Sequence, residues 1–129
     1  MNIVFDNNLS PRLARALNDL DSENTVMPLR AIFDQNVSDV DWMTGLSQSD
    51  NWIALTGDYR ISRIPHEAAA WKESGLVIFF LRPSWQDLQF WEYASKLIKR
   101  WPQIVTQAKT ATRGDGFEVT IRSTTFRRF

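Results

Sequence analysis

Cysteine is absent from the 129-residue sequence, which excludes a disulfide framework, a zinc-thiolate centre and a thiol nucleophile, and fits a reducing, cytoplasmic setting. No apolar run approaches the roughly 20 residues that span a bilayer. The N-terminus shows no basic segment followed by an apolar stretch and a small-residue cleavage site, so neither a secretory signal nor a membrane partner is expected. Phosphate-loop and dinucleotide glycine patterns are missing too, which removes nucleotide-dependent enzymes of those types. Charge of one sign is also lacking, because 15 Lys/Arg balance 15 Asp/Glu.

What is present is an average globular composition, 43% hydrophobic and 23% charged, sufficient for one domain with its own core over residues 1–129. The zero net charge hides an asymmetry: residues 1–83 hold 7 Lys/Arg against 11 Asp/Glu, and residues 84–129 hold 8 against 4. An acidic first part beside a basic last part hints at a metal site next to a basic contact surface.

Hydrophobic patterning predicts alternating strands and helices. Asn2 to Asp6 is a short apolar strand. "LSPRLARALNDLD" starts a helix capped by Ser10 with Pro11 in its first turn and Leu13, Ala16, Leu17 and Leu20 facing inward. "NTVMPL" is an edge strand or one ended by Pro28. "SDVDWMTGLSQSD" is a helix capped by Ser38, with Asp39 and Asp41 in the first turn, where the helix dipole favours acids. "NWIALTGD" is a strand that stops on Asp58. "PHEAAAWKES" is a short helix closed by Gly75, and "LVIFFL" is apolar throughout, as in a strand covered on both faces. A long tryptophan-rich helix is expected from Ser84 to about Lys109, bent or interrupted at Pro102. "FEVTIRS" closes the chain as a strand after the turn "RGDG".

This alternation is that of a mostly parallel sheet with helices on both faces, whose right-handed crossovers bring the strand C-termini to one edge. Asp6 and Asp58 would both lie there, and the helix opened by Asp39 and Asp41 would bring a third acid. Converging carboxylates repel unless a cation neutralises them. Oxygen-only donors suit magnesium or manganese. Such an ion can lower the pKa of a water and stabilise charge on a phosphodiester, the chemistry of metal-dependent nucleases. Asn7 and Asn8 would support the acids from beside them. Arg60 and Arg63, directly after Asp58, are placed to hold a substrate phosphate, and Asn8 is a further substrate contact. Lys96, Lys99, Arg100, Arg127 and Arg128 would extend that surface. Glu67 offers a fourth acid but reads more simply as a solvated helix residue, as does the lone histidine, His66, and the tryptophans read as core.

"FDNNLSPRLARAL" together with "VSDVDWMTGLSQSDNWIALTGDYRISRIPHEAAAWKESGLVIFFL" resembles the short PIN-like domains related to VapC-type toxin ribonucleases, over roughly residues 2–82. The resemblance implies a three-layer α/β/α PIN-like fold with a mostly parallel central sheet. It implies magnesium- or manganese-dependent cleavage of RNA, with Asp6, Asp58 and Asp39 as metal-holding acids and Asp41 as the alternative for the third. It also implies the toxic half of a toxin and antitoxin pair, with an RNA substrate, an antitoxin protein and a homodimer as partners. Many relatives carry Glu where this chain has Asn7. The rival readings are a catalytically inactive PIN-like interaction module and a receiver-type phosphoacceptor. The second fails because Asp6 is followed by two asparagines and "FFLRP" ends without a lysine.

Overall fold

Apolar runs cut by polar turns become six strands of one sheet. In the computed structural model, which describes residues 1–49 and 52–129, these are β1 (Asn2–Phe5), β2 (Thr25–Pro28), β3 (Trp52–Thr56), β4 (Val77–Leu81), β5 (Gly116–Val119) and β6 (Arg127–Arg128). Asp50 and Asn51, assigned above to the end of the second helix and the start of the third strand, lie outside the described residues. The order is β2-β1-β3-β4-β5-β6, with β1 to β5 parallel and β6 antiparallel to β5. Pro28 ends β2 at the sheet's edge, where its missing N–H costs no ladder bond.

Among the described residues five helices flank the sheet: α1 (Pro11–Leu20), α2 (Asp39–Leu46), α3 (Arg60–Arg63), α4 (Pro65–Ser74) and α5 (Phe90–Thr110). The period-2 alternation of the strands divides the core in two. Ile3, Phe5, Ile53, Leu55, Phe79 and Phe117 pack with α1 and α5 on one face. Val4, Ala54, Ile78 and Phe80 pack with Trp42 and Met43 of α2 and Trp71 of α4 on the other. This is the three-layer α/β/α arrangement expected. β4 is buried along its whole length because helices cover both its faces.

Several details differ from the sequence reading. Helix α1 buries Leu13, Ala14 and Leu17, whereas Ala16 is exposed and Leu20 is 64% exposed. Both stripes fit a 3.6-residue period, and the packing against β1 and β2 selects the one centred on Leu13 and Leu17. The expected helix from Ser84 divides into a 3-10 turn over Pro83–Asp87 and α5, which starts only at Phe90. Helix α5 runs through Pro102 uninterrupted, since that residue faces solvent, where water can take the carbonyl left without a donor. Arg100 is not a surface contact: it is 8% exposed and donates to the Thr120 and Ile121 carbonyls at 2.9 and 3.0 Å, tying α5 to the segment after β5. "FEVTIRS" forms a strand only to Val119, and β6 covers the edge of β5.

Candidate active site

The strand order reverses at β1, with β2 on one side and β3 on the other. At such a switch point the loops leaving adjacent strands diverge and open a crevice at the carboxyl edge, the usual ligand position in open α/β sheets. Asp6 follows β1 and Asp58 follows β3, so the two acids flank this crevice. The Asp6 amide still donates to the Leu55 carbonyl at 2.9 Å, which fixes it beside β3.

Thr56, fully buried at the end of β3, links the two acids. Its hydroxyl donates to Asp6 Oδ2 at 2.8 Å and accepts from the Asp58 amide at 2.9 Å. Asn8 joins the same network, with Nδ2 3.4 Å from Thr56 Oγ1 and Oδ1 accepting from the Gly57 amide at 3.0 Å. The threonine of "LTGD" is thus a positioning residue to which the sequence reading gave no role. Asp6 is 6% exposed, and its Oδ1 accepts from the Asn7 amide at 2.7 Å. Burial pushes its carboxyl up to about 6, and the charges of Asp39 and Asp58 push in the same direction against the Thr56 and Asn7 hydrogen bonds.

The third acid is Asp39. Ser38 caps α2 by accepting from the Asp41 amide at 3.1 Å, and Trp42 buries itself in the core one turn along. Positions i and i+3 share a helix face. Asp39 therefore turns inward, its Oδ1 accepting from Trp42 Nε1 at 2.9 Å, while Asp41 is exposed.

A cleft of about 580 Å³ gathers Asp6, Asp39 and Asp58 with Asn7, Asn8, Arg60 and His66. Neither Asp41 nor Arg63 lines it; Arg63 instead lies over the Tyr59 ring. Glu67 also lines the cleft, contrary to its reading as a solvated residue. It lies in the first turn of α4, the helix leaving the carboxyl edge of β3, so the reasoning that placed Asp39 there applies equally to it. Burial pushes the Glu67 carboxyl up to about 7, helped by its hydrogen bond with Asp39 and by the charges of Asp39 and Asp58, with Arg60 opposing.

Arg60 holds Asp58 through a two-pronged ion pair, with Nε 2.9 Å from Oδ1 and Nη2 2.8 Å from Oδ2. That guanidinium keeps the Asp58 carboxyl below the usual carboxylate range. Among the described residues no three His, Cys, Asp or Glu form a group that could hold a metal ion. Arg60 pairs with Asp58, Trp42 donates to one oxygen of Asp39, and Thr56 and the Asn7 amide donate to the two oxygens of Asp6. In kind the donors still suit a hard divalent cation. Four carboxylates face one cleft, and two of its lining residues carry buried oxygens with no hydrogen-bond partner, Asn7 Oδ1 and Glu67 Oε1.

A family model described as "PIN like domain" matches residues 1–83, a span that contains all four acids and Thr56. No curated protein and no solved structure matches the chain significantly.

Proposed function

Because the chain belongs to the PIN-like domain family, a superfamily that includes nucleases, we propose that it is a metal-dependent endoribonuclease working through the acid cleft. The observation that carries this reading is the meeting of Asp6, Asp39, Asp58 and Glu67 at the sheet's switch point. Asp6, Asp39 and Asp58, with Glu67 beside them, would hold magnesium or manganese. The ion, when bound, supplies an activated water and stabilises charge on the phosphodiester. Thr56 holds the Asp6 carboxylate and the Asp58 main chain beside one another. Arg60, exposed and released from Asp58, would bind a phosphate oxygen, and Asn8 would orient the substrate. Glu67 is placed to carry the proton: its Oε1 is unpartnered among the described residues at the cleft and would take a proton from the attacking water or return one to the leaving oxygen.

The biological side of the proposal is the toxic half of a toxin and antitoxin pair, restrained by a protein partner. Expression of the chain should slow bacterial growth, and the Asp58→Asn form should not; equal growth of both would remove the toxin role. Cleavage itself is tested on a broad panel of single-stranded RNAs, with manganese or chelator, using wild type and Asp58→Asn. Metal-dependent products from wild type alone support the proposal. No product on the whole panel would favour the rival reading, a metal-free interaction module, for which the closed Arg60 and Asp58 pair already speaks.

A further inference from the structure

Beside the acid cleft lies a second pocket of about 290 Å³ whose character is different. Asn8 lines both, and Gly57 forms the ridge between them: a Cβ there would sit 3.6 Å from Asn8 Oδ1 and 3.6 Å from Gln86 Nε2. The walls combine three aromatic rings, Trp85, Phe90 and Tyr93, with leucines, and the polar side chains of Asn8, Ser10, Arg82 and Gln86 reach the rim. Trp85 is spoken for, since it is buried and donates to the Val119 carbonyl at 3.0 Å. Phe90 is 45% exposed, so a large apolar ring is left facing solvent at the pocket. The Tyr93 hydroxyl is buried with no hydrogen-bond partner among the described residues. That hydroxyl is sealed behind the wall, so Tyr93 shapes the pocket through its ring.

These features select the occupant. The volume suits one small group and not a folded segment, and apolar walls with a few polar contacts are what a planar heterocycle uses. Arg82, the one cation of the lining among the described residues, is paired with Glu118 at 2.7 Å, so the pocket's remaining contacts are apolar or neutral. We propose that this pocket receives one base of the RNA whose backbone crosses the acid cleft, with Phe90 as the stacking face and Gln86 reading the base edge. The inference rests on the nuclease reading. Asn8 couples the two sites, because it touches the pocket and is bonded into the Thr56 network that positions Asp6. Base choice next to the cleaved bond would then come from this pocket, while the acids supply the chemistry.

The test is binding without cleavage. Fluorescein-labelled ten-residue oligoribonucleotides, with calcium in place of manganese, are titrated with wild type, Phe90→Ala, Gln86→Ala and Tyr93→Phe while an abasic position is scanned along the strand. Thermal melting confirms that each variant is folded, and truncating the half-exposed Phe90 should leave the core intact. The expected result is one position at which loss of the base weakens wild-type binding roughly tenfold. That sensitivity should vanish in Phe90→Ala, and the order of preference among the four bases there should change in Gln86→Ala but not in Tyr93→Phe, whose hydroxyl is sealed from the pocket. RNA binding that ignores every abasic position, or that is unchanged in Phe90→Ala, overturns the base pocket alone. Failure of any oligonucleotide to bind overturns the nuclease reading and the pocket with it. A protein partner whose binding is lost in Phe90→Ala while RNA binding is not would assign the pocket to that partner and likewise overturn the inference.

Discussion

The two hollows on either side of the Asn8 and Gly57 ridge are built on opposite principles. In the acid cleft Asp6, Asp39 and Asp58 share one hollow, and each is tied by a hydrogen bond or an ion pair to a neighbour. In the aromatic pocket few polar bonds are made, and a tyrosine hydroxyl is left with none. The contrast teaches that carboxylates brought into one hollow are fixed by polar partners, whereas an apolar ring such as Phe90 can face solvent without one. The acid cleft lies inside the residues matched by the family model, while Trp85, Gln86, Phe90 and Tyr93 lie beyond them.

Breaking the acid side should have the largest effect. Asp6→Asn or Asp58→Asn should reduce metal-dependent RNA cleavage by on the order of a hundredfold or more, measured as single-turnover rates on one sensitive RNA. Phe90→Ala, by contrast, should leave the metal requirement unchanged.

Stability gives the next effect and the opposite sign. The folded-state pKa of Asp6, about 6, lies above its ordinary value of 3.8, so folding favours the protonated form. Its stability contribution is full below pH 4 and is lost as pH rises through 6. Metal-free wild type should therefore weaken between about pH 4 and 7, and Asp6→Asn should flatten that decline and gain on the order of 2 kcal/mol at pH 8. Urea denaturation in chelator at both ends of the range checks this. Proton competition at Asp6 and Glu67, with pKa values of about 6 and about 7, should also make manganese affinity climb from pH 5 to 8 and then level off. The smallest effect is expected at Arg60: Arg60→Gln frees Asp58 and should raise manganese affinity a few-fold, read by calorimetric titration.

How far the sequence reached can be judged residue by residue. Strand-end acids were legible because an apolar run that stops on a carboxylate needs no tertiary information to be placed at a sheet edge. The choice between Asp39 and Asp41 was not, because Ser38 sets where α2 begins but only the burial of Trp42 sets how it is rotated. Glu67 was missed for want of following α4 back to the edge it leaves. Strand order, and with it the switch point, comes from pairing between distant segments and has no local signature. The same holds for Leu20 and Trp91, which are apolar at helical spacing yet 64% and 82% exposed. Arg100 was misplaced because a buried guanidinium bonded to carbonyls and a surface one look alike in sequence.

The central claim is that Asp6, Asp39 and Asp58, with Glu67, act as one divalent-ion site. Thermal melting of wild type, Asp39→Asn and Asp41→Asn across a manganese titration tests it most directly, because an ion that binds only the folded chain raises its melting temperature by mass action. Wild type and Asp41→Asn should rise together with manganese. Asp39→Asn should start higher in chelator, relieved of repulsion, and lose most of the rise. Melting temperatures that ignore manganese in all three proteins would contradict the account.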